Sequence, residues 1–257
     1  MDTLHHFSEI DKEKQKQILK LVTNSFYREL VNYGIDNSDI VTVSVNLLDF
    51  ITHSDKGTDG ENGYYNEDLH LSTIGNHWTT DKRLNYEDVY IKPLSQPSIN
   101  VICEWLKTHE AEQTFIRFFP PAPEDLQKYL LNKANREYFE IHLDESDHLV
   151  GIIGAQTVDT ESRKIEMKKF IGETQFRGKG IAKKATLLFL YYAFEILSFN
   201  KVFIHSLDTN IKNINLNSRF GFDLEGILYK EVRLNDKYVD VLRMSLLRDT
   251  WKEIFCK

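Results

Sequence analysis

Ten residues, QFRGKGIAKK from Gln175 to Lys184, combine two glycines one residue apart with four cations. They stand between a strand-like run, RKIEMKKFI, and a helix-like one, ATLLFLYYAFEILS. A loop that ends a strand and opens a helix presents unpaired backbone N–H groups and the positive end of the helix dipole. Gly178 and Gly180 carry no side chain, so an anion can approach that backbone closely. Arg177, Lys179, Lys183 and Lys184 add diffuse positive charge. Two readings fit: a cradle for a phosphate or pyrophosphate, or a tight turn with a solvated basic helix start. The run lacks G-x-x-x-x-G-K-[ST] and the third glycine of the dinucleotide fingerprint, which argues against ATP hydrolysis and hydride transfer. The nine histidines form no H-E-x-x-H and the cysteines no C-x-x-C, so no metal is expected.

The chain around this loop has 257 residues, 41% of them hydrophobic, with five prolines, as a folded soluble protein would. No apolar run is long enough to span a membrane, and MDTLHHFSEIDKEK lacks the features of a signal peptide. Two cysteines, Cys103 and Cys256, are too few for a disulfide framework, so a cytoplasmic protein is expected. Through Tyr86 there are 14 acidic and 8 basic residues, and beyond it 25 and 24. That shift suggests a boundary, with an N-terminal extension at 1–86 and a domain at 87–257. An acidic chain is poorly suited to gripping nucleic-acid phosphates.

The periodicity predicts a helix over 8–34, capped by Ser8, with Ile18, Val22, Phe26 and Leu30 on one face and Gly34 ending it. The stretch NSDIVTVSVNLLDFITH is ambiguous between strand and helix, and helix is the reading adopted. The apolar face of 8–34 needs a surface to pack on, either the following domain or a second subunit, so a homodimer is one expectation. From Val89 the pattern becomes strand, helix, helix, three strands, the glycine loop with a helix over about 180–197, strand, short helix and two strands. Strands interleaved with helices around a mixed sheet make an α+β fold.

The pattern Gln175-x-x-Gly178-x-Gly180-Ile181-Ala182 resembles the acyl-CoA loop of the GCN5-related N-acetyltransferase (GNAT) superfamily. Asn210, followed by Gly221 and Phe222, resembles the superfamily's asparagine-initiated helix closing on a glycine-phenylalanine pair. EGILYKEVRLNDKYVDVLRMSLLRDTW resembles the C-terminal hairpin of the branch containing the ribosomal-protein alanine acetyltransferases, and VYIKPLSQPSINVICEWL its first strand and helix. The resemblance covers about residues 89–252. It implies a mixed, mostly antiparallel sheet flanked by helices, preceded by a small, mainly helical extension.

The resemblance further implies acetyl-CoA as co-substrate. Its pantetheine arm would lie along the strand Ile165–Ile171, beside Phe170 and Ile171. Its pyrophosphate would sit on the amides of Arg177, Gly178, Lys179, Gly180, Ile181 and Ala182, with Gln175 and Phe176 also among the cofactor-binding residues. An amine would attack the thioester directly and expel the thiolate. Glu166 matches a glutamate common in this branch and is the candidate base; its other reading is a strand residue paired with Lys164 or Lys168. Many relatives carry a proton-donating tyrosine seven residues after the asparagine; here Asn217 stands there. Tyr229, or Tyr238, on the hairpin is the candidate replacement. Asn210 either holds the cofactor region or caps its helix. His205 reads as a hydrogen-bonded core or pocket histidine. Phe115 to Pro123 floors the acceptor site or belongs to the core.

The function implied is acetyl transfer to a primary amine. The acceptor is a small molecule (amino sugar, polyamine, aminoglycoside) or a protein N-terminus, with neither nucleic acid nor membrane as partner. The alternative from another class is a non-catalytic acyl-CoA-binding module.

Overall fold

The computed structural model describes residues 9–43, 64–111, 120, 122–132, 134–207, 210–234 and 236–256. The chain divides into two compact units, Met1–Glu61 and Asn62–Lys257.

In the first unit α1 runs Glu9–Asn32, as the periodicity predicts. Gly34, at φ +76°, ends it: Ile35 N–H donates to Leu30 O and Gly34 N–H to Val31 O, both at 3.0 Å. This paired closure satisfies carbonyls that the helix end leaves open. Asp36 then starts α2, residues 37–43, its carboxylate accepting from the N–H groups of Ser38 and Asp39. The ambiguous stretch is thus helical as far as it is described. Along α1, Val22 and Phe26 of the anticipated apolar face are exposed, together with Leu19, Tyr27 and Val31. Ser8 and residues 44–63 lie outside the described residues.

Among its described residues the second unit holds nine strands: β1 Gly75–His77, β2 Arg83–Tyr86, β3 Val89–Pro93, β4 Glu137–Leu143, β5 His148–Asp159, β6 Lys164–Ile171, β7 Lys201–Leu207, β8 Asp223–Leu234 and β9 Lys237–Leu247. Their order is β1-β2-β3-β4-β5-β6-β7-β9-β8. Every neighbouring pair is antiparallel except β6 and β7. This is the expected α+β fold with a mixed, mostly antiparallel sheet. The charge shift near residue 86 does not coincide with the edge of this unit. Leu84 and Tyr86 alternate into the core from β2, and Tyr65 and Leu69 are buried ahead of it. Charge balance reports surface, whereas a unit's edge is decided by what is buried.

Two helix layers cover the sheet. On one face α3 (Ile99–Leu106) and α4 (Pro123–Leu131) bury Ile102, Leu106, Leu126 and Leu130 against Tyr138, Ile152 and Phe170. Residues 112–119 and 121, including Phe118 and Phe119 of the expected acceptor floor, lie outside the described residues. The larger core holds α5 (Ile181–Tyr191), which buries Ile181 and every residue from Ala185 to Leu190, as a helix enclosed on all sides beyond its first turn would. Its continuation, expected to stay α-helical to Leu197, widens into a π-turn over Tyr192–Ile196. There the Tyr192 hydroxyl donates to Glu137 Oε2 at 2.6 Å, and Trp251 Nε1 donates to Glu195 Oε1 at 2.8 Å. α6 (Ile211–Ser218) and α7 (Arg248–Phe255) complete this layer, with Trp251 stacked on Phe194 at 5.5 Å.

The parallel pair positions the site. β6 and β7 are in register only at Lys164–Lys201, Ile165–Val202 and Glu166–Phe203. Beyond Glu166 the two strands part.

Candidate active site

The glycine loop begins where β6 ends. A 3-10 turn over Thr174–Phe176 leads into Arg177, and Gly178 and Gly180 take φ of +77° and +78°. That left-handed backbone suits residues without a Cβ. Gly180 is the N-cap of α5 and has no side chain with which to cap it. A Cβ built on either glycine meets no protein atom within 4 Å, so open space lies directly over this backbone. The cations contribute less than their number suggests. Arg177 is fixed by a bond from Nε to Ile171 O at 3.0 Å and an ion pair with Glu110 at 2.6 Å. Lys183 pairs with Asp68 at 3.5 Å, and Lys184 with Glu87 at 2.7 Å and with Asp88. What remains for an anion is chiefly the helix terminus itself.

Beside the loop opens a cleft of about 390 Å³ between the free end of β6 and α6. Of the residues expected to meet a cofactor, Phe170, Ile171, Arg177, Gly178, Ala182 and Asn210 line it. Gln175, Phe176, Lys179, Gly180 and Ile181 do not: Gln175 donates to Glu173 at 2.8 Å, Lys179 lies over the Phe176 ring at 5.3 Å, and Ile181 turns into the core. Lys169, Glu110, Lys212, Asn213 and Leu216 line it unforeseen. Asn210 caps α6, its Oδ1 accepting from Asn213 N–H at a long 3.4 Å.

At the position where a tyrosine was sought, Asn217 is buried and held by its Nδ2, which donates to Asn213 O at 2.7 Å. Its Oδ1 accepts from Lys169 Nζ at 2.9 Å. Burial, with the neighbouring Lys168 charge, pushes the Lys169 ammonium down to about 7. Tyr229 and Tyr238 are exposed on the β8–β9 hairpin and do not line the cleft. Tyr229 falls in a register shift between Leu228 and Val232, which throws it outward.

Where β6 and β7 part, Glu166 and His205 meet across the strands, Nδ1 to Oε1 at 2.9 Å. Thr157 Oγ1 donates to Glu166 Oε2 at 3.1 Å, and Lys168 Nζ lies 3.3 Å from Oε1. Lys168 Nζ also donates to His205 O at 3.0 Å, bridging the gap between the strands. Burial alone would raise the Glu166 carboxyl, but the His205 bond and the Lys168 charge outweigh it and hold it at about 2. A carboxylate so committed is a weak proton acceptor near neutral pH. The sequence singled out Glu166 but not its dependence on His205, which stands 39 residues further on.

Among the described residues no three His, Cys, Asp or Glu side chains gather as metal ligands. What the site offers is a helix terminus for an anion, a groove beside the end of β6, and a carboxylate–imidazole pair further back on the same strand, where its pairing with β7 stops.

Comparison with known proteins agrees with that description. Residues 88–223 match the family model described as an acetyltransferase (GNAT) domain, and the chain belongs to that family. The unit that carries the match begins earlier, at Asn62. Spermidine N(1)-acetyltransferase of Vibrio cholerae is 29% identical over 133 residues, 52% of this chain and 75% of that protein. YdaF of Bacillus subtilis (strain 168), provisionally named a ribosomal N-acetyltransferase, is 29% identical over 143 residues, 52% of this chain and 78% of that protein. The crystal structure of the Vibrio cholerae spermidine enzyme with CoA and spermine superposes with a TM-score of 0.60 at 22% identity. It covers 65% of this chain and 99% of that one, a likeness of fold. The protein is an acyltransferase that moves an acetyl group from acetyl-CoA to an amine.

Proposed function

We propose that the acceptor is a small polycationic amine of the polyamine class and that the cleft beside β6 holds the cofactor. One observation carries this reading: a glycine-floored helix terminus opens beside a cleft along the end of β6, the strand that also carries Glu166 with its His205 partner. Gly178, Gly180 and the first turn of α5 hold the pyrophosphate, and the free edge of β6 from Met167 to Ile171 holds the pantetheine amides. Bound there, acetyl-CoA supplies an activated acyl thioester. The Glu166–His205 pair serves the amine, and Asn217 aims Lys169 into the same groove. The likeness to enzymes named for spermidine supports the acceptor class, as does the formal charge of −7, which favours encounter with a cation. Both cysteines are free thiols, which supports a cytoplasmic setting. Apolar side chains exposed along α1 support association with a second copy.

A protein N-terminus is the second reading, favoured by the likeness to YdaF. Release of free coenzyme A, measured across spermidine, spermine, amino sugars and N-terminal peptides, separates the two. Polyamines are expected to give the highest kcat/KM; preference for a peptide would overturn the acceptor class. Release with no amine above background would leave only the acyl-CoA-binding module.

A further inference from the structure

We infer that His205 takes the proton from the attacking amine and that Glu166 is the residue that positions it. The inference rests on the acetyltransferase reading and deepens it. β6 and β7 are in register only as far as Glu166 and Phe203, and β6 runs on from there to the cleft residues Lys169, Phe170 and Ile171. Four polar side chains stand where that register ends, and three are already committed. Glu166 Oε1 takes His205 Nδ1 and Lys168 Nζ, and its Oε2 takes Thr157. Lys168 is a donor, engaged by Glu166 and by His205 O. The Thr157 hydroxyl is spent on Glu166 and is not basic.

His205 Nε2 differs. It is buried and has no hydrogen-bond partner. Because its neighbour is an ionised carboxylate, Nδ1 must carry the ring proton, which leaves a lone pair on Nε2. A second buried acceptor, Gln156 Oε1, also lacks a partner. Gln156 is the extra residue of the register shift beside Thr157. Unsatisfied buried acceptors are uncommon, and both are of the kind that an amine's N–H groups satisfy. The other charged groups around the ring are Lys168 on β6 and, on β9, Arg243, which is in register with His205. Arg243 lies over the Phe203 ring at 4.4 Å and is bound to Glu225 of β8 at 3.0 Å.

The proton balance is simple. The amine enters neutral, its nitrogen bonds the acyl carbon, and its N–H becomes acidic. That proton passes to Nε2, giving an imidazolium beside the Glu166 carboxylate. The C–S bond breaks with its electron pair on sulfur, leaving amide, thiolate and imidazolium. Glu166 keeps the ring in one tautomer and stabilises its charge, as a buried carboxylate does for a hydrolase histidine.

The test uses the full chain with acetyl-CoA and spermidine, or whichever panel amine the native protein acetylates. His205→Ala is expected to lower kcat by roughly 10²-fold or more, with acetyl-CoA affinity by calorimetry unchanged. Its kcat/KM profile should lose the acid limb, and added imidazole should restore part of the rate. Glu166→Gln should retain the limb, because the ring and its Nε2 are still present. His205→Gln repeats the measurement in a variant that keeps the ring's polar contacts, should the alanine variant misfold. Turnover within threefold of native at every pH, with the acid limb intact, would overturn the inference while leaving the acetyltransferase reading standing. If the native protein binds acetyl-CoA yet acetylates no amine, both fall together.

Discussion

Two carboxylate–imidazole pairs are built into the sheet, and they differ in what is left over. Glu140 and His142 both project from β4, joined Nε2 to Oε2 at 2.8 Å. The Ser95 N–H and Oγ both donate to Glu140 Oε1, at 2.8 and 2.6 Å, and Lys92 lies 3.7 Å from Oε2. The second ring nitrogen of His142 meets Asp147 O at 3.0 Å, and the ring stacks on Tyr90 at 4.9 Å. Every position around this pair is filled. Glu166 and His205 come from two strands that part just beyond them, and one imidazole nitrogen stays empty. Both carboxyls are held at about 2, so ionisation does not distinguish a structural pair from a reactive one. The open position and the adjoining gap do.

Exchanging the fates of the two pairs tests that distinction, and the largest effect belongs to the filled one. Glu140→Ala removes the acceptor for Ser95 and leaves His142 and Lys92 without their carboxylate. It should cost about 3–5 kcal/mol in urea denaturation, while any folded fraction keeps native kcat. Glu166→Gln should do the reverse, lowering kcat by roughly 10²-fold with little change in acetyl-CoA affinity. A stability loss at Glu166 matching that at Glu140, with kcat intact, would make the two pairs equivalent.

Acid should reveal the filled pair as well. The folded Glu140 carboxyl is depressed from 4.5 to about 2. Its stabilisation is therefore fully present above pH 4.5 and is lost as pH falls through the window down to about 2. At the depth of that shift the loss is about 3 kcal/mol, and Glu140→Gln should flatten this part of a stability-against-pH curve.

The remaining effects concern the groove. Gly180→Val forces a β-branched residue to a φ of +78° and fills the space over the loop. Acetyl-CoA affinity by calorimetry should fall by about tenfold or more, the equivalent of roughly 1.4 kcal/mol. The smallest effect is expected at Lys169, which titrates at about 7 in the groove. It is cationic below that pH and neutral above, so affinity for the anionic cofactor should decline several-fold from pH 6 to pH 8. Lys169→Met should remove that dependence.

The features legible in the sequence were those encoded locally. Gly178, Gly180, Asn210 and Gly34 announce loop, cap and stop because glycine backbone freedom and asparagine capping act within a few residues. The β8–β9 hairpin and the helix after the loop followed from periodicity. β2 escaped notice because RLNY is four residues long and only Leu84 and Tyr86 mark its buried side. α7 was missed for a similar reason, being eight residues with two charged pairs among its apolar ones. His205 was read as a hydrogen-bonded core or pocket histidine, but its partner, like that of Lys169, was illegible for another cause. A lysine or histidine in an apolar strand carries no local signal, and their roles arise from Asn217 and Glu166, residues remote in sequence.

The three-residue parallel register between β6 and β7 also bears on how the protein exchanges hydrogen with solvent. From Met167 to Ile171, β6 is bonded to β5 along one edge, and its other edge has no strand beside it. Amides on the bonded edge should exchange only when the sheet opens, whereas those on the bare edge should exchange fast in the free protein. Occupation of the groove would slow the second set and leave the first unchanged. Deuterium uptake across Met167 to Ile171 thus becomes a ruler for cofactor engagement, readable without knowledge of the amine.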